Sequence, residues 1–319
     1  MGLSKTAKIY VAGHSGMVGS AIVRRLKRGG YHNLCTAPHA ELDLTDQRSV
    51  FEFLSDEKPD FIFIAAAKVG GILPNSTHRA EFLYDNLAIE ANLIHGAFKA
   101  GIDRLCFLGS SCIYPRECPQ PIKEEFLLSG PLEETNKSYA IAKIAGISLC
   151  ESYNDQYGTD YWVLMPSNLY GPKDNFDLEA SHVLPALIRK VHEAKSTESP
   201  TISVWGSGNP RREFLHVDDL ADACVFLMEK DTTGSVFNVG SGSDLTIKEL
   251  AETVCSIIGF KGDIIYDNER PDGTPQKLLD SSRLQKLGWT ATTSLRDGIE
   301  QTYASYLEGF AKYKNFDGN

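Results

Sequence analysis

The chain has 319 residues, of which 42% are apolar and 23% charged, enough for one large or two modest domains. This composition excludes a disordered, collagen-like or disulfide-dense protein, and no apolar run reaches the roughly 18 residues of a membrane-spanning helix. The net charge of −10 is unsuited to holding nucleic acid or an anionic membrane surface. We find no secretory signal, and the seven cysteines include no C-x-x-C pair, so we expect a reduced, cytoplasmic protein without a metal site.

Through the first half of the chain, short apolar segments alternate with segments of helical spacing. Strands are predicted at 8–13, 33–36, 60–67, 104–109 and 161–165, and helices at 17–28, 79–99 and 138–157. Strands that are apolar throughout and separated by helices indicate an α/β fold with a doubly wound parallel sheet covered on both faces.

From residue 172 the pattern is looser. Helices are predicted from about 181 and at 246–259, a strand at 201–205, and further sheet elements at 214–219 and 235–240. We therefore expect a Rossmann-like domain over 1–171, to whose sheet 213–240 returns, and a smaller C-terminal lobe over 172–319.

Three glycines separate the first predicted strand from the first helix. Gly13, Gly16 and Gly19 form the spacing G-x-x-G-x-x-G. Glycines let the backbone approach a pyrophosphate, and a helix N-terminus offers unpaired N–H groups and a positive dipole end. A glycine turn also occurs for structural reasons alone, but this position between strand and helix favours a dinucleotide site.

The residues after the second strand indicate which dinucleotide binds. NAD-specific folds place a carboxylate there for the adenosine ribose, whereas this chain has His39 and no acidic residue before Glu41. Without a carboxylate at this position, the site can accept the 2′-phosphate of the adenosine ribose, which favours NADP. Asp43 and Leu44 could reach the adenine, although a turn aspartate is an equal interpretation of Asp43. The small residues 65–67 suit either a cofactor surface or close packing.

Tyr139 and Lys143 lie one helical turn apart, in the pattern Y-x-x-x-K. A lysine ammonium stabilises phenolate and lowers the pKa of tyrosine, so the phenol can exchange its proton near neutrality. Ser110 follows the fourth predicted strand, at the edge where parallel sheets bind ligands. Cys112 points the same way if strand geometry persists. With the glycine loop, this order of residues resembles the extended short-chain dehydrogenase/reductase superfamily.

Longer stretches resemble one family within that superfamily, the GDP-L-fucose synthases. These stretches are 65–72, 108–115, 139–146, 168–172, 212–219 and 277–280, and the similarity runs from about residue 8 to about residue 308. The resemblance implies 3,5-epimerisation of GDP-4-keto-6-deoxy-D-mannose and then NADPH-dependent reduction of its 4-keto group. It also implies a homodimer, for which the two long helices at 79–99 and 138–157 offer a surface.

The resemblance implies that Cys112 and His182 are the epimerisation pair and that Tyr139, Lys143 and Ser110 carry out the reduction. Without the resemblance, a cysteine after a strand is more often a packing residue than a catalytic one, and a histidine near a helix start is more often a surface or capping residue. The predicted cofactor contacts are Gly13, Ser15, Gly16, Met17, Val18, Gly19, His39, Asp43, Leu44, Ala65, Ala66, Ala67, Leu108, Gly109, Ser110, Tyr139, Lys143, Pro166, Ser167, Asn168, Leu169 and His182.

The second lobe is predicted to hold the GDP-sugar through Lys190, Trp205, Arg212 and Asp272. Arg212 could pair with the diphosphate, Asp272 with guanine N–H groups or sugar hydroxyls, and Trp205 could stack on guanine or pack in the core. In the GDP-L-fucose synthases that this chain resembles, arginine often stands where this chain has Ser15, His39 and Lys190.

Two other functions fit parts of the pattern. A nucleotide-sugar 4,6-dehydratase commonly has an Asp-Glu pair after the strand-end hydroxyl, where this chain has Ser111 and Cys112, and a simple 4-epimerase would not need Cys112 and His182. A non-enzymatic NADP(H)-sensing protein would tolerate loss of Tyr139 or Lys143, and both are present. Cofactor balance separates these functions, because only a reductase consumes NADPH stoichiometrically.

Overall fold

The structure, a computed structural model, describes residues 3–230, 234–269 and 272–314. Its strands are β1 (Ile9–Ala12), β2 (Leu34–Cys35), β3 (Phe61–Ile64), β4 (Arg104–Leu108), β5 (Asp160–Pro166), β6 (Asn168–Tyr170), β7 (Thr201–Trp205), β8 (Arg211–His216), β9 (Val236–Val239), β10 (Asp244–Thr246), β11 (Asp263–Asp267) and β12 (Gln276–Lys277). Its helices are α1 (Met17–Arg28), α2 (Gln47–Glu57), α3 (Ile72–Thr77), α4 (Arg79–Lys99), α5 (Lys137–Tyr157), α6 (Val183–Ser196), α7 (Val217–Glu229), α8 (Ile247–Ile258), α9 (Ser282–Lys286) and α10 (Leu295–Lys314).

Six parallel strands form the large sheet in the order β2-β1-β3-β4-β5-β9, which confirms the predicted doubly wound α/β fold. Helices cover both faces, as fully apolar strands require. Buried residues of α1 and α7 pack on one face, and those of α2, α4 and α5 pack on the other. None of the helices in the described ranges is long and apolar enough to cross a membrane.

Strand β8 is central to the second lobe. It pairs in parallel with β6 and β12 and antiparallel with β10, while β7 and β11 form a separate parallel pair. Buried residues of α6, α8 and α10 form a third core against these strands, including Leu187, Leu250 and Ile299. Because side chains alternate along a strand, Phe214 enters this third core while Leu215 enters a core of the large sheet.

Of the 213–240 stretch expected to return to the large sheet, β9 pairs with β5 in that sheet, whereas β8 pairs with β6, β10 and β12. The predicted sheet element at 214–219 also extends too far. The His216 ring accepts a hydrogen bond from the Asp218 N–H at 3.3 Å, caps α7, and ends the strand at that residue.

Helix α2 was not predicted, although Asp46 carries its start signal. The Asp46 carboxylate accepts from the backbone N–H of Arg48 at 3.0 Å, as an N-cap does. Helices α3, α7, α9 and α10 were also not predicted.

The turn after β1 packs backbone against backbone. Gly13 has a φ of +80°, and a Cβ there would lie 2.7 Å from the Ala66 nitrogen. A Cβ on Gly19 would lie 2.1 Å from the Gly13 carbonyl oxygen. Any side chain at these two positions would therefore push α1 away from the end of β3.

We expect Gly13→Ala to destabilise the fold by at least about 3 kcal/mol, since it adds a backbone clash to an unfavourable φ. Gly30→Ala is the matched control, because Gly30 has a φ of +82° but no atom within 4 Å of the added Cβ. The control should lose only about 1 kcal/mol. Urea unfolding measures both, and equal losses would contradict the packing explanation.

Candidate active site

The glycine loop lies where the sheet order reverses. The chain leaves β1 for β2 on one side and then returns to β3 on the other, so the connections that follow β1 and β3 run to opposite faces of the sheet there. Gly13 approaches the backbone of Ala65 and Ala66 at that point. The structure therefore brings together the predicted glycine loop and the predicted 65–67 surface.

The start of α1 fits the pyrophosphate of a dinucleotide. Its N-cap residue, Gly16, has no side chain to accept from the first-turn N–H groups, and no acidic residue lies in that turn. An added Cβ on Gly16 would meet nothing closer than the Gly13 oxygen at 3.5 Å, so this glycine faces open space. At the carboxyl edge of the same sheet, His14 Nδ1 after β1 and Ser167 Oγ after β5 are buried with no hydrogen-bond partner among the described residues, which suits polar ligand groups.

At the adenosine end, Asp43 forms a turn. Its Oδ1 accepts from the Thr45 N–H at 2.9 Å and from the Thr45 hydroxyl at 2.8 Å, and these bonds lower the pKa of the Asp43 carboxyl. Asn92 of α4 donates to the Leu44 carbonyl at 3.0 Å and fixes the segment. Asp43 therefore has the turn role that the sequence left open, and His39 is exposed beside this segment.

Helix α5 carries Tyr139 and Lys143, but the lysine charge is not directed at the phenol alone. Lys143 Nζ lies 2.9 Å from Glu90 Oε1 of α4, and both side chains are almost fully buried. The same Nζ lies 5.7 Å from the Tyr139 ring centroid and 4.6 Å from that of Phe107. The ammonium is thus shared between a carboxylate and two aromatic rings.

The predicted lowering of the tyrosine pKa is wrong for this structure. Burial raises the pKa of Tyr139 well above its usual value, and the negative forms of Cys112 and Glu90 raise it further. The main physical reason is the burial of the phenol, and the Glu90 carboxylate, which lies 2.9 Å from Lys143 Nζ, adds to it.

Strand geometry does not persist from Ser110 to Cys112, contrary to the sequence argument. A 3₁₀ turn covers Ser111–Ile113, and the Ser110 hydroxyl accepts from the Cys112 N–H at 3.4 Å. Burial raises the pKa of the Cys112 thiol, while the Ser110 hydrogen bond and the charges of Lys277 and Lys143 oppose that rise. The thiol is therefore a protonated group held close to cations.

Sequence reasoning assigned no role to Lys277 or Asn136. Lys277 of β12 pairs in register with Arg212 of β8, and its charge acts on the Cys112 thiol. Lys277 therefore lies close both to the thiol and to the arginine predicted to bind the diphosphate. Burial lowers the pKa of Lys277. Asn136, the N-cap of α5, has a buried Oδ1 without a partner in the described ranges. In the sequence, the position of Asn136 three residues before Tyr139 was the feature that could have indicated a role in the site.

Two predicted substrate residues meet at the edge of the second lobe. Lys190 Nζ lies 5.4 Å from the Trp205 ring centroid and donates to the Ser203 carbonyl at 3.1 Å. The Trp205 ring is 46% exposed, so the core-packing alternative does not describe it.

Arg212 and Asp272 lie near each other, and the Asp272 charge acts on the guanidinium. Burial lowers the pKa of Arg212. Asp272 accepts from the Ser207 N–H at 2.9 Å and from the Ser207 hydroxyl at 2.7 Å, which fixes the turn at Gly206. Asp272 thus has a structural role in addition to any contact with a ligand.

His182 is the N-cap residue of α6, and its side chain is exposed. Just before it, the Ala180 carbonyl accepts from the Gly71 N–H at 2.8 Å, which joins this segment to the chain after β3. Although the residue is exposed, the protein atoms around it partly desolvate the imidazole and lower its pKa, which favours the neutral ring at pH 7. Within the described part of the chain, no hydrogen bond joins His182 to Cys112 or Tyr139, and no cluster of His, Cys, Asp and Glu could hold a metal ion.

A Rossmann-type sheet with a glycine loop, a strand-end serine and a Tyr-x-x-x-Lys helix is the arrangement of the extended short-chain dehydrogenase/reductases. The chain belongs to the NAD dependent epimerase/dehydratase family, whose model matches residues 9–240. It belongs within that family to the GDP-L-fucose synthases, as its relatives show.

Two curated relatives and one solved structure illustrate this. The chain is 57% identical over 312 residues to putative GDP-L-fucose synthase 2 of Arabidopsis thaliana, covering 98% of this chain and 95% of that one. It is 51% identical over 316 residues to GDP-L-fucose synthase of Escherichia coli K12, covering 96% and 98%. A GDP-L-fucose synthetase from Naegleria fowleri bound to NADP superimposes with a TM-score of 0.90 at 26% identity, covering 98% and 96%.

Proposed function

We propose that this enzyme epimerises carbons 3 and 5 of GDP-4-keto-6-deoxy-D-mannose and then reduces carbon 4 with NADPH, giving GDP-L-fucose. The observation that carries the proposal is that Ser110 and Cys112 follow β4 at the carboxyl edge of the sheet, the same edge at which β1 leads into the glycine loop, with Tyr139 of α5 packed in the same core as Cys112. Identity of 51–57% to curated GDP-L-fucose synthases supports the choice of substrate.

For the reduction, the Tyr139 phenol and the Ser110 hydroxyl donate to the carbon-4 oxygen. Bound NADPH supplies the hydride, and the N-terminus of α1 with Gly13, Gly16 and Gly19 would hold its pyrophosphate. The raised pKa of Tyr139 keeps the phenol protonated and therefore able to act as the acid.

For the epimerisation, the carbon-4 carbonyl acidifies the hydrogens on carbons 3 and 5. Cys112 and His182 are assigned to the proton transfers, while Tyr139 and Ser110 stabilise the enolate oxygen. The neutral imidazole of His182 can accept a proton or, once protonated, return one. The Cys112 thiol must ionise first, and the charge of Lys277 favours its thiolate.

The GDP part is assigned to the second lobe. Arg212 and Lys190 supply positive charge for the diphosphate, and the exposed face of Trp205 offers a stacking surface for guanine. Lys190 provides charge without the bidentate fork of an arginine.

The domain division is also a proposal, refined by β9. Residues 1–171 with α7, β9 and α9 form the cofactor lobe, except for β6, which pairs with β8, and the remaining residues from 172 onward form the substrate lobe. The support is packing, since α7 and β9 enter the cores of the large sheet whereas α6, α8 and α10 share the third core. We place the enzyme in the cytoplasm, in agreement with its seven free cysteines.

Tyr139→Phe tests the reduction directly. The wild-type enzyme should consume one NADPH for each sugar reduced, and the variant should lower kcat by about 100-fold or more because the proton donor is missing. NADPH binding, followed by fluorescence, should change by less than about threefold. Tyr157→Phe, which removes an exposed hydroxyl, is the control, and near-native turnover in Tyr139→Phe would overturn the assignment.

Cys112→Ser and His182→Asn test the epimerisation. Each should slow solvent deuterium uptake at carbon 3 or carbon 5 by at least about tenfold, because a proton-transfer group is lost. Mass spectrometry of the recovered sugar measures this uptake, and substrate binding should change less. Cys118→Ser is the matched thiol control. Undiminished exchange in both active-site variants would remove these residues from the mechanism.

A homodimer through α4 and α5 is the proposed assembly. Their outer surface exposes Tyr84 and Ile141 by 69% and 41% near the N-terminal ends of the two helices, and at the C-terminal ends the rings of Phe98 and Tyr157 make a tilted contact with centroids 4.4 Å apart. Apolar side chains exposed together favour burial against a second copy.

Ile141→Glu should convert the dimer to monomers in sedimentation velocity, since it places a charge in the buried interface. Ile265→Glu makes the same change at an exposed residue of β11 in the other lobe and should leave the assembly unchanged. A wild-type monomer, or a dimer that survives Ile141→Glu, would exclude this interface.

A further inference from the structure

The segment that leads into His182 is joined to the cofactor lobe by a backbone hydrogen bond. The Gly71 N–H donates to the Ala180 carbonyl at 2.8 Å. Between described residues, no other backbone–backbone hydrogen bond connects 172–182 with the chain before β6. The approach is close, because a Cβ on Gly71 would lie 2.6 Å from the Ser181 carbonyl oxygen. Gly71 therefore marks the point at which the two lobes meet beside His182.

The turn before His182 is closed on itself, so a displacement of this turn reaches the imidazole. Asp177 Oδ1 accepts from the Glu179 N–H at 2.9 Å and from the Ala180 N–H at 2.8 Å. The Ser181 N–H donates to the Asp177 carbonyl at 3.1 Å. His182 follows directly as the N-cap residue of α6. The place of the imidazole is therefore set where this turn meets the cofactor lobe.

Asn75 of α3 fixes the backbone on the other side of this contact. Its Nδ2 donates to the Gly70 carbonyl at 2.7 Å and to the Gly71 carbonyl at 3.0 Å. Carbonyl oxygens only accept, so the amide nitrogen must face them. The side chain is 7% exposed, and its Oδ1 is buried with no hydrogen-bond partner among the described residues. The two N–H donors are therefore the part of this amide that the fold uses.

The backbone that Asn75 holds is attached to α4 at its other end. Asn86 accepts from the Lys68 N–H at 2.8 Å and donates to the Lys68 carbonyl at 3.0 Å. Lys68 directly follows the 65–67 surface. The short stretch from Lys68 to Gly71 is thus held at both ends, which gives the contact with the second lobe a fixed base.

The epimerisation pair is divided between the two lobes. Cys112 follows β4 of the cofactor lobe, whereas His182 begins α6 of the substrate lobe. A general acid or base must lie within about 3 Å of the proton that it moves. A misplacement of about 1 Å can lower a rate by about 100-fold. A divided pair therefore needs a contact that sets the separation of its members.

We propose that Asn75 is a positioning residue of the epimerisation, which acts through the Gly71 bond to set the place of the His182 imidazole. The proposal rests on the role assigned to His182 in the function proposed above. Asn75 itself moves no proton. Its loss should impair the proton transfers that use His182 and leave cofactor binding intact.

Asn75→Asp and Gly71→Ala break this connection in two different ways. The aspartate keeps the shape of the side chain without its N–H donors, and the alanine Cβ displaces the Ser181 carbonyl. Each should lower solvent deuterium uptake by about tenfold or more at the carbon or carbons that His182→Asn affects, since the imidazole is misplaced. KM for the sugar and the affinity for NADPH should stay within about threefold.

Two matched controls separate position from packing. Gly70→Ala adds a Cβ one residue earlier, where it would meet the Phe82 ring at 3.2 Å and not the second lobe. Asn33→Asp removes a donor bond to the Thr6 carbonyl at the amino-terminal end of β2. Neither should lower the uptake by more than about twofold. Equal losses in Gly70→Ala and Gly71→Ala would exclude the proposed connection.

A double variant gives a readout that a general loss of stability would not give. In His182→Asn the imidazole is already absent, so adding Asn75→Asp should change the remaining uptake by less than about twofold. In the wild-type background the same substitution should give the full loss. Losses of similar size in both backgrounds would mean that Asn75 supports the fold and not His182, and the proposal would be wrong.

Exchange of the Gly71 amide hydrogen tests the connection without any sugar. In enzyme labelled with [¹⁵N]glycine, the Gly71 resonance is identified by its loss in Gly71→Ala. NMR should show this hydrogen exchanging at least about tenfold more slowly in the wild-type enzyme than in Asn75→Asp. Equal rates, or an unprotected amide in the wild-type enzyme, would refute the role of Asn75. Failure to reduce the GDP-sugar, with the difference in exchange present, would refute only the proposed function.

Discussion

The close approach of the turn after β1 to the end of β3 is the constraint on which the rest of the site depends. Gly13 lies against the backbone of Ala65 and Ala66, and Gly19 lies against Gly13 itself. These contacts seat the N-terminus of α1 at the point where the sheet order reverses. The same carboxyl edge positions Ser110 after β4, so one packing constraint aligns the anion site and the reacting groups.

Strand β8 makes the second constraint, because it connects the two lobes through buried polar bonds. Glu213 is fully buried, and its carboxylate accepts from the Gly242 N–H at 2.7 Å and the Leu279 N–H at 3.0 Å. Burial raises the pKa of Glu213 to about 7. These bonds keep β12 beside β8 and thereby hold Lys277 between Arg212 and the Cys112 thiol.

Sequence predicted most of the first lobe, because apolar strands and amphipathic helices have strong periods there. The limits of α1 and β7 were predicted to the residue, whereas β8, expected in the large sheet, pairs with β6, β10 and β12. A strand whose alternate residues enter two different cores has no single period-2 pattern to identify its partner. The surroundings of Tyr139 could not be predicted from the sequence either. Glu90 is 49 residues before Tyr139 in the chain, and only the packing of α4 on α5 brings its carboxylate to Lys143.

The two cations near the site have different surroundings, and this matters for a reaction that needs a base before it needs an acid. The Lys143 charge is met by the Glu90 carboxylate at 2.9 Å, and the adjacent phenol has a raised pKa. The Lys277 charge acts on the Cys112 thiol and works against the effect of burial there. If one exposed ammonium served both groups, any stabilisation of the thiolate would also ionise the phenol. Because Lys277 acts on the thiol in addition to Lys143, the thiolate is favoured at a site where burial and the Glu90 carboxylate favour the neutral phenol, as a reaction that needs a base before an acid requires.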